Sequence, residues 1–221
     1  MLKRVLCLVL IALALGSFTM QQKKKIIFFG DSITEVGAKP GGYITKLQDT
    51  LVKAGKSAQF ELIGAGIGGN KIYDLYFRMD SDVIVKKPDL VFIYIGINDV
   101  WHKRTYGTGS DPDKFEKFYN RIIDRIQASG AKVVICTPTT VGEKKDFVNE
   151  LDGDLNKYAD IIRNIARNKN VELIDLRKAM LSYIAANNSA NTGSGILTLD
   201  GVHMNDKGNR FLADQFYPYI K

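Results

Sequence analysis

Three observations predict an α/β fold, a three-layer sandwich in which a five-stranded parallel sheet lies between helices. Short apolar runs bounded by turn residues recur at Ile26 to Phe29, Phe60 to Ile63, Leu90 to Ile95, Val133 to Cys136 and Val171 to Ile174. Between them, apolar residues return at helical spacing, so strand and helix alternate along the chain. The runs lack the apolar-polar alternation of a half-solvated strand, which marks parallel strands buried on both faces and joined by right-handed crossovers. With 221 residues, 45% of them hydrophobic, the chain suffices for one domain with a substantial core.

The amino-terminal 20 residues stand apart from this pattern. Lys3 and Arg4 precede an uncharged apolar run from Val5 to Leu15, followed by Gly16 and Ser17, the layout of a secretory signal peptide. An uncleaved anchor is the alternative, because the uncharged stretch continues to Met20, although its strongly apolar part is short for a spanning helix. Cys7 lies too early in the run for a lipid-acceptor cysteine. Residues 21–221 are then a single domain, secreted or held in the cell envelope. Cys136 is its only cysteine, so no internal disulfide is possible, and its place at the end of an apolar run marks it as a small core residue.

The first strand, Ile26 to Phe29, ends in Gly30-Asp31-Ser32. Loops at the carboxyl ends of parallel strands form the ligand crevice, which puts Ser32 where chemistry takes place. The same residues also suit an ordinary turn and helix cap. The second strand runs into Gly64-Ala65-Gly66-Ile67-Gly68-Gly69-Asn70. This satisfies the letter of a dinucleotide fingerprint, but it follows the second strand and not the first, and no acidic residue ends the next strand. No cofactor is expected. The glycines instead allow a backbone N–H to face the crevice, as an oxyanion hole requires.

A helix patterned on Ile72, Leu75, Tyr76 and Met79 leads past Pro88 to the third strand, which ends in Gly96-Ile97-Asn98-Asp99. The amide of Asn98 can aim at a developing negative charge, or satisfy its own backbone as loop asparagines commonly do. The segment from Gly96 to Asp113 reads as a long loop, and such loops tend to be functional. It carries Trp101, the only tryptophan, three residues beyond Asn98, where a sugar face or a methyl group can pack on it, or where it serves packing alone. Helices patterned on Phe115 to Ile126 and on Leu155 to Ile165 flank the fourth strand, with Gly130 as a stop signal.

A second long loop, Asn187 to Asp200, leads to Asp200-Gly201-Val202-His203 and a final helix that Asn205 or Asp206 can cap. Only two histidines exist, His102 and His203. His203 follows Asp200 by three positions, so a turn brings the carboxylate to one ring nitrogen and leaves the other facing outward. A histidine bonded to a cap residue for packing is the plainer reading. If the first three strands are neighbours with the first in the middle, the loops bearing Ser32, Gly69 and Asn98 meet at the switch point of the sheet. The N–H groups of Ser32 and Gly69 and the Asn98 amide then converge on one oxygen.

The four blocks, Gly30-Asp31-Ser32, the glycine run ending at Gly69, Gly96-Ile97-Asn98-Asp99 and Asp200-Gly201-Val202-His203, resemble those of the SGNH hydrolases, the GDSL esterase and lipase family. They stand in the family's order and cover the chain from about residue 25 to its end. Each block is short; the ordered set at strand ends is specific. The resemblance implies a flavodoxin-like strand order, no metal, Ser32 as nucleophile, His203 as base with Asp200 as its partner, and Ser32, Gly69 and Asn98 as oxyanion donors. Gly64 departs from the pattern, since many relatives carry asparagine before the glycine block. Ile95 to Trp101, together with Asp31 to Thr34 and Gly41-Gly42-Tyr43, is similar to bacterial members that act as acetyl esterases on xylan or xylo-oligosaccharides. This marks Asp31 and Trp101 as candidate substrate contacts and an ester on a small molecule or oligosaccharide as the substrate.

The remaining classes are weaker. The formal charge is +7, and without Lys3 and Arg4 the 31 basic residues fall to 29, a net +5 against 24 acidic ones. Three of these five charges are the run Lys23, Lys24 and Lys25, which argues against a nucleic-acid-binding face. No membrane partner is expected unless the amino-terminal segment is retained. The polar stretch from Lys103 to Asp113 does not resemble a lipid-binding lid. A lysophospholipase or thioesterase with the same machinery, and a non-catalytic carbohydrate-binding relative, are the competing readings. The oligomeric state is not legible.

Overall fold

The computed structural model describes residues 22–220, so the amino-terminal segment read as a signal peptide or anchor lies outside the described residues. Five strands, β1 (Lys24–Gly30), β2 (Phe60–Gly66), β3 (Leu90–Tyr94), β4 (Lys132–Cys136) and β5 (Glu172–Ile174), pair in parallel in the order β2-β1-β3-β4-β5. The chain leaves β1 toward β2 and then returns past β1 to β3, which makes the ends of β1 and β3 the switch point. Gly30 lies opposite Gly66 on one side and Tyr94 on the other. The carboxyl ends of these three strands are therefore level, and their loops open on one edge.

The helices are α1 (Ser32–Gly37), α2 (Tyr43–Lys53), α3 (Ile72–Asp82), α4 (Ile97–Tyr106), α5 (Pro112–Ala128), α6 (Asp152–Lys169), α7 (Leu176–Asn187) and α8 (Asp206–Phe216). Right-handed crossovers that change direction at β1 place α2, between β1 and β2, on one face and the helices between β2 and β5 on the other, and the last helix, α8, returns to the first face. Accordingly α2 packs with α8, while α3 packs with α5 and α5 with α6. On the α2 and α8 side, Phe28 stacks on Phe92 at 5.0 Å between centroids, and Phe216 meets Phe92 edge-on at 5.0 Å. Tyr43 stacks on Phe216 at 5.1 Å. Burying one such ring stabilises the fold by about 2–3 kcal/mol, and the ring geometry adds roughly 1 kcal/mol more. Cys136 is fully buried and free, and burial pushes its thiol well above the usual range.

Three local differences separate the fold from its sequence pattern. The expected loop from Gly96 to Asp113 contains α4, whose weak apolar periodicity, Ile97, Val100 and little else, conceals a ten-residue helix started at Gly96 with φ of 122°. Helices α2 and α7 add to the helical stretches expected from the sequence. Strand β2 continues through Gly64, Ala65 and Gly66 instead of ending at Ile63. The reason lies in packing: a Cβ on Gly66 would stand 2.1 Å from the Glu35 nitrogen, so only glycine lets α1 rest directly on β2.

Candidate active site

Asp31 ends the strand-to-helix turn and starts α1. Its Oδ1 accepts the Ile33 N–H at 3.0 Å and its carbonyl accepts the Glu35 N–H at 2.9 Å. This caps the helix at Ser32, whose own N–H belongs to the first turn and has no helical acceptor. Asp31 is fully buried, and desolvation raises its carboxyl to about 7 against the opposing pull of the Ile33 N–H, His203 and Arg78. The side chain of Asp31, named above as a candidate substrate contact, is engaged in the cap beneath the crevice.

Ser32 is half-buried, and its Oγ lies 3.1 Å from His203 Nε2. His203 Nδ1 stands 2.7 Å from Asp200 Oδ2, while Asp200 Oδ1 accepts the N–H groups of His203 and Val202 at 2.7 and 2.9 Å. Burial alone would raise the Asp200 carboxyl, but these hydrogen bonds outweigh it and hold it below the usual carboxylate range. A carboxylate on Nδ1 fixes that nitrogen as the donor, which leaves the Nε2 lone pair to accept the Ser32 proton. Asn205 caps α8 by accepting the Gly208 N–H at 2.8 Å.

On the other side of Ser32, Gly69 adopts φ of 74°, the left-handed region that favours glycine. Lys71 Nζ donates to the Gly69 carbonyl at 2.7 Å and fixes that turn. Asn98 lies in the first turn of α4, almost fully buried, and one amide N–H donates to the Asn70 carbonyl at 3.1 Å. The second amide hydrogen remains for another acceptor. Asp99 joins α4 to α3 by accepting the Ile72 N–H at 3.1 Å, and burial raises its carboxyl to about 7.

Arg78, which the sequence pattern left as one polar residue on a helix, binds this half together. Its guanidinium donates to the carbonyls of Gly30 (2.7 Å) and Ala65 (3.0 Å), to Asn70 Oδ1 (2.7 Å) and to Asp82 Oδ2 (2.7 Å). The ends of β1 and β2 and the Gly69 turn thus share one cation. Trp101 is half-buried with its ring 6.4 Å from the His203 ring and 5.3 Å from that of His102. His102 has no bond to Ser32; it lies against Gly69, where a Cβ would stand 3.6 Å from His102 Cε1. Burial and nearby Lys71 lower its imidazole.

The arrangement combines a hydroxyl, a base aligned by a carboxylate, and polar hydrogens on the far side, the parts of nucleophilic acyl transfer. Residues 28–211 match the model of the GDSL-like lipase/acylhydrolase family. The chain is 27% identical over 209 residues to an acetylxylan esterase of Geobacillus stearothermophilus, covering 87% of this chain and 92% of that protein. It is 25% identical to the uncharacterized lipoprotein YqeF of Bacillus subtilis, over 86% of each. Among solved structures it is similar to the acetyl xylan esterase AlAXEase, with 56% identity and a TM-score of 0.88 over 89% of this chain and 100% of that one.

Proposed function

The chain belongs to the GDSL-like lipase/acylhydrolase family and is a carboxylic ester hydrolase, a premise from which we propose that it removes acetyl groups from carbohydrate through an acyl-enzyme on Ser32. The hydrogen-bonded line from Ser32 through His203 to Asp200 carries this reading. Ser32 Oγ attacks the ester carbonyl while His203 Nε2 takes its proton, and Asp200 stabilises the imidazolium. The N–H groups of Ser32 and Gly69 and the free amide hydrogen of Asn98 hold the oxyanion. Collapse breaks the bond to the sugar oxygen, which leaves with the proton from His203. Water, deprotonated by the same nitrogen, then releases acetate.

The sugar and the short acyl chain are supported by the mouth of the site and by relatives named as acetylxylan esterases. Trp101 offers the face on which a sugar ring or acetyl methyl packs. The segment after it, from Lys103 to Thr108, is exposed and largely polar, with no apolar cover for a long acyl chain. The amino-terminal segment directs the protein to the envelope or beyond it; among the described residues no helix is long and apolar enough to cross a membrane.

Hydrolysis of acetyl, butyryl and octanoyl aryl esters, with acetate release from acetylated xylo-oligosaccharide, tests the reading in the chain from residue 21 and in its Ser32→Ala variant. Activity that requires Ser32, falls with chain length and frees acetate from the sugar is the expected result. A preference for octanoyl without acetate release overturns the substrate in favour of a lipid or thioester. Equal turnover by Ser32→Ala overturns the acyl-enzyme.

A further inference from the structure

The loop that carries Asp200 and His203 hangs outside the sheet, yet a buried acid holds it. Glu143 lies beyond the end of β4 and is fully buried. Its Oε2 accepts the Ile196 N–H at 2.7 Å, and its Oε1 accepts the N–H groups of Leu197 at 2.7 Å and Thr198 at 2.9 Å. Its own N–H donates to the Gly193 carbonyl at 2.8 Å, and its carbonyl accepts from Asn188 Nδ2 at 2.6 Å. One side chain thus gathers three successive main-chain donors that no strand or helix satisfies, in a setting where unpaired donors are costly.

The grip passes on to the histidine through short, identifiable bonds. Thr198 pairs antiparallel with Met204, and the Leu199 N–H donates to the His203 carbonyl at 2.8 Å. Thr198 Oγ1 accepts the Gly201 N–H at 3.0 Å, inside the turn between Asp200 and His203, and the Gly201 carbonyl accepts the Gly142 N–H at 2.9 Å. Glu143 is itself fixed from behind. Arg177, also fully buried, donates to the Thr139 carbonyl at 2.7 Å and pairs with Asp152 at 3.0 Å, clamping the segment that leads from β4 to Glu143.

We infer that Glu143 is a positioning residue for the reaction proposed above, holding residues 196–198 so that His203 Nε2 stays within hydrogen-bond reach of Ser32. The inference rests on the acyl-enzyme reading. A glutamine there keeps one acceptor oxygen but turns an NH2 group toward at least one of the three donors. A shift of about 1 Å in a catalytic group costs on the order of 10²-fold in rate.

The test begins with wild type, labelled at Ser32 by a fluorophosphonate and assayed on an acetyl aryl ester beside Ser32→Ala. If wild type is not labelled and Ser32→Ala turns over equally, the acyl-enzyme reading fails before any Glu143 variant is made. With wild type active, Glu143→Gln should lower kcat and the labelling rate by a common factor of about 10- to 100-fold, with KM within about 3-fold. The low-field proton resonance of the His203–Asp200 bond should move or broaden. Wild-type kcat and an unmoved resonance below the melting temperature, even with a lower Tm, reduce Glu143 to a structural residue and overturn the inference. Should Glu143→Gln not fold, Glu143→Asp keeps both acceptor oxygens on a stem one methylene shorter, which draws them back from the three donors. A several-fold loss in kcat with the same shift supports the inference, and wild-type behaviour overturns it.

Discussion

The two sides of Ser32 are built by different means. The side of Gly69 and Asn98 follows directly on the ends of β2 and β3, whose ladder hydrogen bonds with β1 level the strands, and Arg78 ties the rims. The side of His203 stands on an irregular loop outside the sheet, anchored by side-chain bonds from Asp200, Thr198 and Glu143 and by scattered main-chain bonds such as that from the Leu199 N–H to the His203 carbonyl. Their aspartates titrate in opposite directions: Asp31, buried under the first side, is raised to about 7, and Asp200, half in solvent on the second, is lowered. A sheet edge supplies fixed donors and dry surroundings, whereas a loop supplies a base that stays wet enough to exchange protons.

The largest expected effect removes the contrast altogether. Ser32→Ala or His203→Ala should each lose about 10⁴-fold or more in kcat, and the double variant should lose little beyond either one, because the two act as a unit. Additive losses in steady-state assays would show that they do not. On the sheet side alone, Asn98→Ala should lose about 10²- to 10³-fold in kcat with normal folding, and unchanged turnover would take Asn98 out of the oxyanion hole.

The opposed aspartates make a pH prediction. For Asp31 the folded pKa, about 7, lies above the ordinary 3.8. Burial therefore favours the protonated form, and the folded state loses stability as pH rises from about 4 to about 7. Asp99 acts in the same sense. Asp200 has the reverse sign: its contribution is present above the ordinary pKa and is lost as pH falls below it. Thermal melting of Asp31→Asn from pH 4.5 to 7.5 should show a flatter decline than wild type, and an unaltered slope would mean that Asp31 is ionised in the fold. The smallest effect belongs to His102→Ala, which should leave kcat on an aryl acetate within about 3-fold. If that change abolished turnover while His203→Ala did not, the base would be the other histidine.

The sheet side was the more legible from sequence. Runs such as Ile26 to Phe29 and Leu90 to Ile95 are buried on both faces, so their apolarity marks the strands, and the strand ends then place Ser32, Gly69 and Asn98 on one edge. Asp200 and His203 were legible only as a short block, since three-residue spacing says that they meet and nothing about what holds them. Glu143 and Arg177 carry no such signal, because a charged residue in a sequence reads as solvated until the chain folds round it. Arg78 was hidden likewise on the polar side of α3, and α4 by its sparse apolar spacing. At Asp31 the sequence leaves helix cap and substrate contact undivided, because both draw on the same residue type.

The level strand ends reach beyond the chemistry. Strand β1 runs for seven residues from Lys24 to Gly30, a traverse of about 20 Å, and hands the chain to Ser32 two positions later. Lys24, where the strand begins, therefore lies on the opposite rim from Ser32. A support coupled at that rim would lie across the sheet from the open edge.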